Sequence, residues 1–131
     1  MSVWTRVRSE VLKENVNMEY FTNALKEIDV ELDFSQKEIS NAYGREKIDA
    51  MLRFKGNSTT LGIIQNSKGG IDLVGDTWKS GMGGDKAHTT VSNMMAQAYQ
   101  VYKTKKQLEL NGWSVTSRKV KDQVVLTCEQ W

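Results

Sequence analysis

Two segments of the chain repeat apolar residues every three or four positions, which places these side chains on one face of an α-helix. In the first segment the repeat consists of Met18, Phe21, Leu25 and Ile28. It predicts a helix that ends near residue 28 or 29. Asn15 or Asn17 is the expected N-cap, because the asparagine side chain accepts a hydrogen bond from the first helical turn.

The second segment runs from about residue 86 to residue 110. Its repeat consists of Val91, Met94, Ala98, Val101 and Leu108, flanked by Met95 and Tyr102. Asn111 and Gly112 follow directly, and glycine after the last apolar position is typical of a helix end. The pattern therefore predicts a long second helix, whose apolar stripe is interrupted by Lys105.

Apolar and polar residues alternate in several shorter segments, which is the pattern of a strand with one buried face. The alternation predicts strands over residues 3–7, 30–34, 47–54, 60–65, 71–76, 113–120 and 123–131. Short turns separate the third, fourth and fifth of these strands, which favours an antiparallel meander, and the last two form a hairpin. Residues 35–45 have no clear period and are predicted to be a loop.

These elements follow the order β-α-β-β-β-β-α-β-β, so we expect an α+β fold. A single antiparallel sheet, made of the meander plus the terminal hairpin, would carry the two helices on one face. A length of 131 residues suits one domain with its own core, and no repeat or linker divides the sequence. We therefore expect residues 1–131 to form a single α+β domain.

Charge and composition exclude several classes of function. The chain has 18 basic and 16 acidic residues, and a net charge of +2 does not attract a polyanion without a local basic patch. One cysteine and one histidine make neither an internal disulfide nor a cysteine zinc site, so we expect no metal and no cofactor. Because no apolar run has the length of a membrane span or a signal peptide, we expect a cytoplasmic protein without membrane contact.

The glycine-rich segment "TWKSGMGGDKAHTT", residues 77–90, precedes the second helix. A phosphate-binding loop needs Gly-Lys followed by Ser or Thr, but Asp85 precedes Lys86 and Ala87 follows it. The dinucleotide-binding pattern fails as well, because position 86 is not glycine. We interpret the segment as a turn in which Asp85 caps the helix, although exposed amide groups there could still attract an anion.

The polar side chains give little indication of a reaction centre. His88 lies in the first turn of the second helix without an evident catalytic partner, and we interpret it as structural. Cys128 shares its strand face with Val124 and Leu126, so we expect it to point inward and to be unreactive. A small enzyme that uses strand carboxylates is the remaining enzymatic alternative. Its candidate residues are Glu31, Asp33, Asp49, Asp72 and Asp76.

A basic region of the sequence supports another alternative, nucleic-acid binding. Tyr99 and Tyr102 precede three lysines on the second helix, and aromatic rings beside basic groups can bind a single strand by stacking and phosphate contact. The basic residues are Lys103, Lys105, Lys106, Arg118, Lys119 and Lys121. Because Glu109, Asp122 and Glu129 weaken the positive field, a solvated helix face is the favoured interpretation.

The favoured functional hypothesis is a non-enzymatic adaptor that binds another protein or a second copy of itself. No coherent catalytic set is evident, and the long second helix is rich in apolar residues. Large aromatic side chains are enriched among the residues that dominate protein interfaces. The candidate partner-binding residues are Trp78, Tyr99, Tyr102 and Trp131.

Six short motifs extend over nearly the whole chain: "MSVWTRVRSEV", "TLGII", "IDLVGDTW", "QAYQVY", "NGWSV" and "EQW". Together they resemble the hypothetical chloroplast open reading frame thirty-five family of cyanobacteria, plastids and other bacteria, whose function is unknown. The family tends to have an arginine and a histidine in the segment corresponding to Gln97–Tyr102, and this chain has neither there. The resemblance implies no reaction, cofactor or substrate. Because such proteins are often encoded near ring-forming ATPases, it implies an accessory or adaptor role.

Overall fold

The computed structural model describes residues 4–41, 44–55, 57–76, 85–120 and 123–130, without the side chains of residues 4–5, 41, 44, 57–60, 76, 85–88, 119–120, 123 and 130. The helices are α1 Met18–Glu27 and α2 Asp85–Leu110. The strands are β1 Trp4–Arg8, β2 Val30–Asp33, β3 Glu38–Asn41, β4 Gly44–Lys47, β5 Ala50–Phe54, β6 Asn57–Gln65, β7 Ile71–Asp76, β8 Trp113–Val120 and β9 Gln123–Gln130.

The main sheet has five antiparallel strands in the order β1-β7-β6-β5-β2. Strands β5, β6 and β7 form the meander that the short turns predict, while β1 and β2 are the two edges. Residues Val7, Leu73, Ile63 and Ala50 are paired across neighbouring strands, so they share one face of the sheet. Both helices pack on this face, which confirms the predicted α+β class.

The ends of both helices follow from local sequence. The Asn17 side chain accepts a hydrogen bond from the backbone N of Tyr20 at 3.1 Å, so Asn17 is the N-cap of α1. At the end of α2, Gly112 has a φ of +85° and its backbone N donates to the carbonyl of Glu109 at 3.1 Å. A residue in this left-handed conformation stops a helix, and glycine adopts it without a steric penalty.

The core lies between the helices and the main sheet. Phe21 and Leu25 of α1 and Met95 of α2 are at most 1% exposed, and they contact apolar side chains of the central strands. The sheet contributes Val30, Ala50, Leu52, Leu61, Ile63, Ile71 and Leu73. These buried positions of β5, β6 and β7 alternate with residues on the opposite face, as the sequence pattern predicts.

The prediction of a loop over residues 35–45 is wrong, because this region contributes to a small hairpin of β3 and β4. Among the side chains that the structure describes in these two strands, only Ile39 is buried, so the alternation is too weak to recognise. The strand predicted over residues 47–54 is divided, since β4 ends at Lys47 and β5 begins at Ala50.

The small hairpin covers the centre of the second sheet face. Ile39 and Ile48 form a separate apolar cluster with Val74 there, joined by the half-buried Met51 and Ile64. Gly62 makes this contact fit, because a Cβ at that position would lie 2.7 Å from Cγ2 of Ile48. The main sheet is therefore covered by helices on one face and partly covered by β3–β4 on the other.

The terminal hairpin of β8 and β9 forms a two-stranded sheet of its own, instead of extending the main sheet as expected. After Gly112 the chain turns back, and β8 packs along α2 with Val115 buried. Helix α2 has 26 residues and spans about 39 Å. Since the nine-residue β6 spans only about 30 Å, the helix offers a surface that the main sheet does not cover.

Neither the long helix α2 nor any other helix in the described part of the chain is long and apolar enough to cross a membrane.

A tight crossing of two backbone segments gives a first test of this fold. Residues 12–16 pass over the turn at residues 66–70, and a Cβ on Gly70 would lie 2.1 Å from the carbonyl oxygen of Lys13. We expect Gly70→Ala to lower the free energy of unfolding by about 3 kcal/mol, because backbone atoms must move. Gly112→Ala, which meets no heavy atom within 4 Å, should lower it by about 1 kcal/mol through its positive φ. Urea denaturation measures both, and equal losses would contradict the crossing.

Candidate functional site

A groove of about 440 Å³ lies between the end of α1, the middle of α2 and the terminal hairpin. We refer to it as the helix–hairpin groove. Its lining residues are Ala24, Glu27, Ile28, Asp29, Met94, Gln97, Ala98, Val101, Ser117, Arg118 and Val124. Three separate elements therefore form its walls, and pockets of this volume are large enough for a small ligand or a few side chains of a peptide.

Aromatic contacts fix the two helices that form this groove. The rings of Phe21 and Tyr99 meet edge to face with centroids 6.3 Å apart, and those of Tyr20 and Tyr102 do so at 5.4 Å. The hydroxyl of Tyr99 also accepts a hydrogen bond from the backbone N of Asn17 at 3.0 Å. The helix pair is thus held at two levels along its length.

Partner binding requires side chains on the surface, but the two candidate tyrosines are buried. Tyr99 is 4% exposed and Tyr102 is 9% exposed, and both contribute to the contact between α1 and α2. Of the other candidate partner-binding residues, Trp78 and Trp131 lie outside the described residues. The structure therefore assigns a packing role to the two tyrosines and says nothing of the two tryptophans.

The apolar stripe predicted on α2 corresponds only partly to the core. Met95 and Tyr99 point into the core, whereas Met94, Ala98 and Val101 are half-buried and line the helix–hairpin groove. Apolar residues extend around more than one face of α2, and this width is the signal in the sequence that could have indicated a second surface. Small residues on α1 and α2, Ala24 and Ala98, leave the space that the groove occupies.

Charged side chains stand at the rim of the groove. Glu27 and Asp29 come from the end of α1 and the residues after it, while the exposed Arg118 comes from β8. None of the three takes part in an ion pair with another described residue. An apolar floor with separated acidic and basic groups at its edge is suited to binding a peptide segment of complementary charge.

A cluster of ionic groups lies on the opposite face of the main sheet. Asp72 is 1% exposed, and its carboxylate accepts hydrogen bonds from Arg8 Nε at 2.7 Å, Arg8 Nη2 at 2.9 Å and Arg6 Nε at 2.9 Å. Both arginines remain about half exposed. The hydrogen bond from Arg8 lowers the pKa of Asp72, burial opposes this effect, and Arg6 adds to it. The pKa of the Arg8 guanidinium is raised by the same contact.

No hydrogen bond joins two of the strand carboxylates whose side chains the structure describes. Asp33 accepts hydrogen bonds from Ser35, which lower its pKa together with Arg53, and Asp49 accepts one from the backbone N of Gln65. Asp33 and Asp72 lie on β2 and β7, three strand positions apart, which corresponds to about 14 Å. Glu31 is exposed on the edge strand β2, and the side chain of Asp76 is not described. Among the cysteine and acidic side chains that the structure describes, no group of three could hold a metal ion.

Two lysines of α2 lie beside the rings of the buried tyrosines. Nζ of Lys103 lies 6.0 Å from the centroid of the Tyr99 ring, and Nζ of Lys106 lies 5.5 Å from that of Tyr102. Lys106 also approaches Glu109 at 4.0 Å, while Lys105 is half-buried. Arg118 is exposed, the side chain of Lys119 is not described, and Lys121 lies outside the described residues. Because the tyrosine rings are buried, they offer no face on which a base could stack.

Cys128 pairs with the buried Val115 of β8 and so lies on the same face of the hairpin, but its thiol is exposed, so the burial expected from this position is wrong. Strand β8 packs more extensively against α2 than β9 does, so alternation on β9 does not lead to burial at its end.

The side chains of Asp85 and His88 are not described, and the glycine-rich residues 77–84 lie outside the described ranges. The predicted cap and the structural role of His88 therefore stay predictions.

The pKa of Asp72 leads to a test of the ionic cluster. Because its folded pKa is lowered, the stabilisation is complete above the unfolded value of about 4 and is lost as the pH falls through the folded value. We expect Asp72→Asn to lower the free energy of unfolding by about 2 kcal/mol at neutral pH, and by progressively less as the pH falls through the lowered folded pKa. Urea denaturation across this pH range measures the difference. Glu31→Gln, on the same face but exposed, should have little effect, and a pH-independent loss for Asp72→Asn would contradict the ionic role.

Comparison with known protein families, curated proteins and solved structures finds no match to this chain. The resemblance to the chloroplast open reading frame family therefore stays a prediction.

Proposed function

We propose that this protein is a non-enzymatic interaction module, and that its helix–hairpin groove receives a short apolar segment of a partner protein. The observation that carries the proposal is the groove itself, with its apolar floor between two helices and a hairpin. Burial of apolar surface is the main favourable contribution to most protein association. The groove is a concave site in which the described surface can gain such burial.

The partial exposure of apolar side chains at the groove supports a peptide segment as its occupant. Ile28, a large apolar side chain at the groove, is 36% exposed, and Met94 and Val101 are half-buried. A partner that inserts two or three apolar side chains would cover these groups. Helix-in-groove recognition and similar modes use apolar anchors in this way.

The charges at the rim suggest the polar part of the partner. A basic residue of the partner would face Glu27 and Asp29, and an acidic residue would face Arg118. The partner segment is therefore expected to carry apolar residues between one basic and one acidic residue. The family resemblance implies that a ring-forming ATPase is one candidate for the protein that contains this segment.

The two alternative functions have less support. Binding of a single-stranded nucleic acid by stacking is disfavoured by the burial of Tyr99 and Tyr102, which leaves only phosphate contacts from the lysines. Carboxylate chemistry is disfavoured because the carboxylates of Asp33, Asp49 and Asp72 each already accept hydrogen bonds from their own neighbours. A cytoplasmic location stays a prediction.

A matched pair of variants on α2 tests the groove. Ala98→Arg places a long charged side chain in the groove, whereas Gln100→Arg places the same side chain at an exposed position of the same helix. We expect both proteins to remain folded, because neither position is fully buried. In pull-down experiments with quantitative mass spectrometry, Ala98→Arg should reduce recovery of the specific partner at least about tenfold, as for loss of a central contact. Gln100→Arg should retain it.

Light scattering on the same proteins separates a foreign partner from self-association. If the occupant is a second copy of the chain, the wild type and Gln100→Arg form a dimer and Ala98→Arg is monomeric. If the occupant is another protein, all three are monomeric and differ in the pull-down alone. Recovery of the same proteins in the same amounts by Ala98→Arg and the wild type, together with equal molar masses, would overturn the groove as the binding site.

A further inference from the structure

A second concave site lies on the ionic side of the protein and is independent of the helix–hairpin groove. It is a cleft of about 400 Å³ between the segment that follows β1 and the turn that precedes β7. We refer to it as the polar cleft. Its lining residues are Arg8, Ser9, Glu10, Lys13, Glu14 and Lys68. We propose that the polar cleft binds the phosphate or carboxylate group of a small ligand, with Arg8 and Lys68 as the main contacts.

The walls of the polar cleft are fixed by backbone hydrogen bonds. The backbone N of Asn15 donates to the carbonyl of Lys68 at 3.0 Å, and that of Val16 donates to Gly69 at 2.9 Å. The backbone N of Ile71 donates to the carbonyl of Leu12 at 2.7 Å. These bonds join the two backbone segments directly, so the cleft is largely formed before a ligand arrives, and less ordering is needed on binding.

The side chain of Asn66 strengthens this arrangement from within the turn. Its Oδ1 accepts hydrogen bonds from the backbone N of Lys68 and of Gly70, both at 2.9 Å. Its Nδ2 donates to the carbonyl of Lys13 at 3.2 Å and to the carboxylate of Asp72 at 3.5 Å. One side chain thus connects the turn that carries Lys68 with the carboxylate that holds Arg8.

Asp72 orients the guanidinium of Arg8 without using all of its donors. Nε and Nη2 of Arg8 each donate to the Asp72 carboxylate, and a guanidinium has five N–H groups. Three N–H groups therefore remain, on a side chain that is about half exposed. An arginine held in place by a buried carboxylate is well suited to bind an oxyanion, because its planar donor set matches the geometry of phosphate and carboxylate.

The cluster of Arg6, Arg8 and Asp72 has a net positive charge that can attract an anionic ligand. Arg6 alone would balance the charge of Asp72, so Arg8 adds a second positive charge to the triad. In the polar cleft, Lys13 pairs with Glu10 at 3.1 Å, whereas Lys68 is exposed and forms no ion pair with any described residue. Glu14 reduces the positive field, so we expect weak binding with a dissociation constant of about 1 mM or higher.

NMR titration of the full chain tests the oxyanion site. Inorganic phosphate and sodium acetate are added in separate series, each compared with sodium chloride at the same ionic strength, while the amide signals of residues 66–70 are followed. We expect saturable shifts in at least one of the two oxyanion series, larger than those in chloride. Saturation by phosphate alone would identify a phosphate site, and saturation by both would identify a general oxyanion site.

Two lysine variants test whether the oxyanion binds at the polar cleft. Lys68→Gln removes the cleft ammonium that has no ion pair with a described residue, and Lys26→Gln removes an equivalent charge from α1. We expect Lys68→Gln to raise the dissociation constant about threefold, as for loss of an exposed ion pair, and Lys26→Gln to leave it unchanged. Shifts that do not exceed those in chloride, or equal constants for both variants, would overturn the proposal. These outcomes leave the test of the helix–hairpin groove unaffected, because the two sites share no residue.

Discussion

The contact between α1 and α2 is the interaction on which the rest of the structure depends. Phe21 is fully buried and meets Tyr99 edge to face, and the hydroxyl of Tyr99 bonds to the backbone of Asn17, which caps α1. Tyr99 therefore links the core, the start of α1 and the middle of α2. The same helix pair covers the apolar face of the main sheet and supplies two walls of the helix–hairpin groove. A change in the helix contact would alter both.

The two faces of the main sheet carry different side chains and therefore have different roles. The face under the helices is apolar and provides most of the core. The other face combines a small apolar cluster under the β3–β4 hairpin with the buried Asp72 and its two arginines. A buried carboxylate is tolerated only with such partners, because an unpaired charge loses its hydration without compensation. The two proposed binding sites lie on these different sides of the molecule.

Local signals explain how much of the fold could be predicted from the sequence. Asn17 and Gly112 mark helix ends through chemistry that needs no other part of the chain, and both predictions are confirmed. The β3–β4 hairpin was missed because Ile39 is the single buried residue among its described side chains, and Ile48 packs on a glycine that is distant in sequence. The helix–hairpin groove could not be predicted because it combines three elements. The exposure of Cys128 depends on how closely each strand of the hairpin packs on α2.

A double-mutant cycle between Phe21 and Tyr99 tests most directly whether their contact joins the helices. The free energy of unfolding is measured by urea denaturation for the wild type, Phe21→Leu, Tyr99→Leu and the double variant. An edge-to-face pair predicts a coupling energy of about 1 kcal/mol, so the double variant should lose less stability than the sum of the single variants. Additivity within about 0.3 kcal/mol would contradict a direct contact between the two rings.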